Sequence, residues 1–134
     1  MTTTAPGTAL AAALYEALSR IGIPVHAVPP QLSDGGSDAA YPCISIGEVA
    51  MGQWDDSGTR GFDFVARVHV WWRGGSKAPG LAIQDEIYSV LHRGSLTVDG
   101  WKDILLDRQM SDVTRLTDGS FHGVCEYRGL LTEG

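Results

Sequence analysis

The sequence predicts an α+β fold, with one mainly antiparallel sheet and two helices packed on one of its faces. Three observations predict it. Two segments repeat apolar residues at helical spacing, and several others alternate as strands do. The order helix, strands, helix, strands also lacks the regular alternation of a doubly wound protein. At 134 residues the chain is the size of one domain, 1–134, with residues 1–7 expected to be flexible.

The first helix is expected over residues 9–20. Leu10, Leu14 and Leu18 recur every four positions, Thr8 is placed as N-cap, and Gly22 and Pro24 stop the helix. Residues 25–28 form a short strand ending at Pro29-Pro30, and residues 29–40 a polar loop around Asp34-Gly35-Gly36-Ser37. A strand follows over 41–51. Pro42 confines it to an edge or places the proline at its start, with Cys43 and Ser45 on one face and Ile44 and Ile46 on the other. The loop over 52–58 carries Trp54, Asp55 and Asp56.

Residues 59–72 hold the clearest pattern. Phe62, Phe64, Ala66, Val68, Val70 and Trp72 share one face, while Asp63, Arg67 and His69 share the other with Val65 and Trp71. So long a strand is expected to carry a bend or bulge. After a turn at Gly74-Gly75-Ser76-Lys77, residues 78–92 read as the second helix. Its stripe is Leu81, Ile87, Tyr88, Val90 and Leu91, and Gly94 is placed as its cap. Leu96-Thr97-Val98 reads as a short strand closed by Asp99-Gly100. Residues 104–110 and 112–117 read as strand material. Asp118-Gly119 is a turn, and residues 121–131 are the last strand.

Composition narrows the function classes. Ten Lys and Arg against sixteen Asp and Glu give a net charge of −6, which argues against gripping nucleic acid or an anionic membrane. Charged residues are only 19% of the chain, below the roughly 25% of an ordinary soluble domain. A domain with so few charges is expected to cover part of its surface with copies of itself. The N-terminus has no basic residue before its apolar stretch and no run reaches membrane-spanning length, so neither a secretory signal nor a span is read.

No catalytic, cofactor-binding or metal-ligating set is read. The phosphate-loop, dinucleotide, zinc-helix and nucleophile-elbow patterns are absent, and Gly74-Gly75-Ser76-Lys77 is a plain turn. His26, His69, His92 and His122 are spread singly and read as structural or surface residues. His122 and Cys125, three apart on a strand, face opposite ways. Cys43 and Cys125 read as buried reduced thiols. The aromatics are more informative. Trp54 lies in a polar loop and Trp71 on the mostly polar face of the long strand, where each suits either a protein interface or packing under a loop or helix.

Several segments together resemble one family. Tyr41-Pro42-Cys43-Ile44-Ser45-Ile46-Gly47 is similar to its opening strand. Val68-His69-Val70-Trp71, then Gly74-Gly75, then a helix through Leu91 follow in its order. Asp118-Gly119, His122-Gly123 and Tyr127-Arg128 match its C-terminal segment, and the opening helix with Pro29-Pro30 its beginning. The family is that of the small tail-completion proteins, or tail terminators, of tailed bacteriophages and phage-like gene transfer agents. The resemblance implies a structural virion protein and no enzyme. It implies a hexameric ring that caps the tail tube, stops its polymerisation and joins tail to head. Its partners would be further copies of itself, the tail-tube protein and a head-closure or adaptor protein. DNA would pass through the lumen without sequence-specific binding. Assembly would take place in the host cytoplasm, with no cofactor and no membrane. Trp54, Asp55, Asp56 and Trp71 are the expected interface or lumen residues. Two alternatives stay open: another head–tail joining subunit, such as a head-closure or adaptor protein, and a small ligand-binding domain or enzyme.

Overall fold

The computed structural model describes residues 6–26, 42–53, 61–92, 96, 98, 100–102, 106–117 and 119–133. Helix α1 (Pro6–Ser19) begins earlier than expected. Pro6 and Gly7 are helical, so Thr8 is not the N-cap; proline is pre-organised for a first helical turn, where its missing N–H costs nothing. Ala9, Leu10, Ala13, Leu14, Ala17 and Leu18 are buried at the spacing of one helix face. The helix unwinds through bonds from the Arg20 and Ile21 amides to the Ala17 and Leu18 carbonyls, and Gly22 turns the chain at a φ of +90°.

Strand β1 (Val25–His26) runs parallel to β2 (Cys43–Gln53), pairing Val25 with Ile44 and His26 with Ser45. The earlier expected strand residues 27 and 28, and the loop over 29–40, lie outside the described residues. Strand β2 starts directly after Pro42, as a residue without an N–H requires. It pairs antiparallel with β3 (Gly61–Trp72). Helix α2 (Ala78–Leu91), β4 (Trp101–Lys102), β5 (Asp107–Arg115) and β6 (Phe121–Glu133) complete the chain. The sheet order is β1-β2-β3-β6-β4, and β5 also pairs with β6.

The bulge falls elsewhere than expected. β3 pairs with β6 without interruption from Gly61↔Thr132 to Trp72↔Phe121. The irregularity lies on the partner strand β2, between Ile46 and Val49. Residues 107–115 form one strand rather than two pieces, with a register shift between Arg108 and Met110. Of the expected strand at 96–98, Thr97 lies outside the described residues, and Val98 bridges Trp101 around Gly100 at φ +82°. The turn into β6 is closed by the Gly119 amide on the Leu116 carbonyl, with Gly119 at φ +90°.

Both helices cover one face of the sheet. Their buried residues join Ile44, Phe64, Ala66, Val68, Val70, Trp72, Phe121, Cys125, Tyr127 and Leu131 in one core. The stripe of α2 is Gly80, Ile83, Gln84, Ile87 and Leu91, which keeps Ile87 and Leu91 of the expected set, with Val90 packed at its margin. Leu81 and Tyr88 point to solvent, because the position that meets the sheet is Gly80, which rests on the Trp72 ring. The helix ends at a C-cap residue, His92, whose amide donates to the Tyr88 carbonyl; Gly94, the expected cap, lies outside the described residues. Cys43 pairs with outward-facing Trp71, whereas Cys125 pairs with core Val68. The two thiols are therefore free and on opposite faces, and burial pushes both up to about 11.

Tyr127 is fully buried, and its hydroxyl has no hydrogen-bond partner among the described residues. Burial, with Cys125 next, pushes its phenol up. Since an unsatisfied buried hydroxyl costs about 1–3 kcal/mol, Tyr127→Phe is expected to raise stability by about 1 kcal/mol. Thermal unfolding of the two proteins checks this, and a lower melting temperature for the variant would count against the orphaned hydroxyl.

Candidate functional site

Alternation along β3 and β6 that sends Val68, Val70 and Cys125 into the core sends their neighbours out the other way. Arg67, His69 and Trp71 on β3, and His122, Val124 and Glu126 on β6, thus share the face without helices. Arg67 lies directly across from Glu126, donates from Nε to its Oε2 at 3.2 Å, and reaches Glu48 Oε2 at 3.7 Å. These exposed pairs contribute at most about 1 kcal/mol each.

The most ordered part of this face is aromatic. Trp71 lies across from His122, and their rings stack at 4.1 Å with an interplanar angle of 18°. His69, the diagonal neighbour, places Nδ1 2.7 Å from His122 Nε2. The Trp71 indole N–H donates to Ser45 Oγ at 2.9 Å. Ser45 and Trp71 are only 2% and 8% exposed, although both face away from the helices. The His69 ring lies over Gly47, where a Cβ would overlap it. With Ile46 and Glu48 these residues line an open depression of about 440 Å³.

Of the expected site residues, Trp54, Asp55 and Asp56 lie outside the described residues. Trp71 faces away from the core as its strand parity requires, but it is covered by His122 and not exposed. The histidines, which looked isolated along the chain, include one paired set. His69 and His122 are 53 positions apart, and only the β3–β6 register brings them together. The legible signal was their outward parity on two strands. Nothing local linked those strands.

Burial lowers both imidazoles below the ordinary histidine range, and for His122 the neighbouring His69 lowers it further. Among the described residues no three His, Cys, Asp or Glu side chains converge as metal ligands. No described helix is long and apolar enough to cross a membrane. The face offers two parallel resources instead: a packed aromatic end and a charged, solvated middle.

A family model described as Tail completion protein gp17 matches residues 12–132. Nineteen chains of solved structures also match. One of them, from "Virion of native gene transfer agent (GTA) particle", superposes with a TM-score of 0.78 at 20% identity. The match covers 98% of this chain and 100% of that one. At this identity the likeness is one of fold. No curated protein matches the sequence.

Proposed function

The chain belongs to the tail completion protein gp17 family, and from that premise we propose that it is the ring-forming terminator of a phage or phage-like tail. Copies close into a hexameric ring on the end of the tail tube, stop its growth and present a surface to the head-side connector. DNA passes through the lumen. The observation that carries this reading is the family match across 12–132, joined to a fold shared over nearly the whole length with a gene transfer agent virion chain.

Three features of the molecule support it. Among the described residues both helices pack on one sheet face, which leaves the other free of helices as a surface for neighbours. The low charge content suits a subunit whose flanks meet other copies through two different patches, as a closed ring requires. The net charge of −6 suits a conduit, since like charge keeps DNA from adhering to a wall. Asp55 and Asp56 are proposed to face the lumen or the tube, and Trp54, with Trp71 through the His122 ring that covers it, to contribute to contacts between subunits.

Adding the protein in small amounts to polymerising tail-tube protein is expected to arrest elongation and leave a ring at one tube end in electron micrographs. Tubes that elongate unchanged with no protein at their ends would remove the terminator reading. Asp55→Asn combined with Asp56→Asn is expected to leave the ring intact and to impair DNA delivery. Unchanged delivery would withdraw the lumen assignment alone.

A further inference from the structure

His69 and His122 meet edge to edge. Their ring centroids are 4.9 Å apart, well beyond the 2.7 Å between Nδ1 and Nε2, and their planes differ by only 14°. The short contact therefore lies close to both ring planes, where an imidazole N–H and an imidazole lone pair point. A neutral imidazole has one donor and one acceptor nitrogen, so a neutral pair makes this bond with one proton between the rings. Adding one proton keeps the bond and makes it charge-assisted. Adding a second puts a donor on each facing nitrogen and two positive charges side by side, and no bond remains.

We propose that the His69–His122 pair is an acid-operated latch on the helix-free sheet face, which holds through one protonation and opens at the second, uncovering Trp71. The rings have little freedom to escape inward. Gly47 backs His69, and Trp71 backs His122 at 4.1 Å. When the rings separate they move outward, and Trp71 loses the ring that shields its face. The device is local, because the core on the other side of the sheet shares none of these side chains.

The surrounding charges set where it acts. Burial is the largest influence on each ring and disfavours the charged form. On His69, Glu48 from β2 and Asp112 from β5 favour protonation, and Arg67 on its own strand opposes it. On His122, His69 opposes it and Asp112 favours it. Glu126 on β6 is engaged by Arg67. The net direction for both rings is downward from 6.5. The folded state thus binds fewer protons than the unfolded chain just below that value. The stability linked to the pair is complete above 6.5 and declines as pH falls through the lowered folded values.

The test uses the intact protein, following histidine ring resonances and exchange of the Trp71 indole N–H by NMR from about pH 8 to about pH 4.5. His69 and His122 are expected to titrate as a coupled pair in two separated steps. Across the second step the Trp71 indole should exchange roughly tenfold faster while the β3 and β6 core amides stay protected. That acceleration runs against the intrinsic trend, in which such exchange slows as acid is added. In His122→Gln the coupled steps should vanish and the indole should follow the intrinsic trend. Independent titration of the two rings overturns the latch. So does a Trp71 response that persists in His122→Gln, or loss of all amide protection together with the indole. If His122→Gln does not fold, His69→Gln is read the same way, and if neither folds the parent titration decides alone.

Discussion

Gly80→Ala is expected to destabilise the protein by about 3 kcal/mol, although alanine normally stabilises a helix interior by up to about 1 kcal/mol over glycine. A methyl at this position would overlap the Cη2, Cζ2 and Cζ3 atoms of Trp72. Trp72 has nowhere to retreat. It is 1% exposed, stacks on Phe121 at 5.4 Å, and donates its indole N–H to the Ser76 carbonyl at 3.1 Å. Displacing it forfeits much of what truncating a buried Trp would cost, about 3–5 kcal/mol, offset in part by the helix gain. For a chain of this size the melting temperature should fall by roughly 10 °C or more. Adding Trp72→Leu should recover part of the loss, so the two changes will not be additive. A Gly80→Ala protein melting with the parent would show that α2 does not sit on Trp72.

Val68→Asp is expected to cost about 4 kcal/mol or more, while Arg67→Ala, one residue away, costs at most about 2. Val68 is fully buried at the middle of β3, with Ile46 and Cys125 as its register partners. A carboxylate there is desolvated among apolar side chains and must lose its charge or unfold the chain. Its folded pKa would rise above the unfolded value near 4. The penalty is therefore full at neutral pH and is relieved as pH falls through the raised value. Arg67 loses only exposed ion pairs to Glu48 and Glu126. Urea unfolding of both variants at pH 7 checks the pair of outcomes. Similar costs would show that the register of β3 is off by one.

Much of the fold was legible because strand parity and helix spacing are local. Trp71 and Trp72 are adjacent, and parity alone sends Trp72 to the core and Trp71 to the other face. The stripe of α2 was misread because hydrophobicity favoured Leu81 and Tyr88 over Gly80 and Gln84. Gly80 is buried for its lack of a side chain beneath a tryptophan from another element. Gln84 is buried because its amide reaches the Asp112 carbonyl at 2.9 Å. Neither reason exists within the helix itself. The aromatic cluster was illegible for the same cause. His69, Trp71 and His122 become neighbours only through a pairing across 53 positions, and the cover that His122 gives Trp71 follows from that register. Family resemblance was easier to see, since short motifs in a fixed order survive where long-range contacts leave no local trace.

The long ladder between β3 and β6 also governs the order in which the molecule can be made. β6 lies between β3 and the β4 and β5 strands, yet it follows all of them in sequence. On a ribosome, β2 and β3 can form a hairpin early, but β5 has no sheet to join until β6 emerges. During that interval β3 presents an open edge of unpaired backbone N–H and C=O groups beside the apolar face of Phe64, Val68, Val70 and Trp72. An apolar edge of this kind is a template for wrong partners. Nonlocal pairings of this span close slowly, so the nascent chain should depend on chaperone shielding until its final strand arrives.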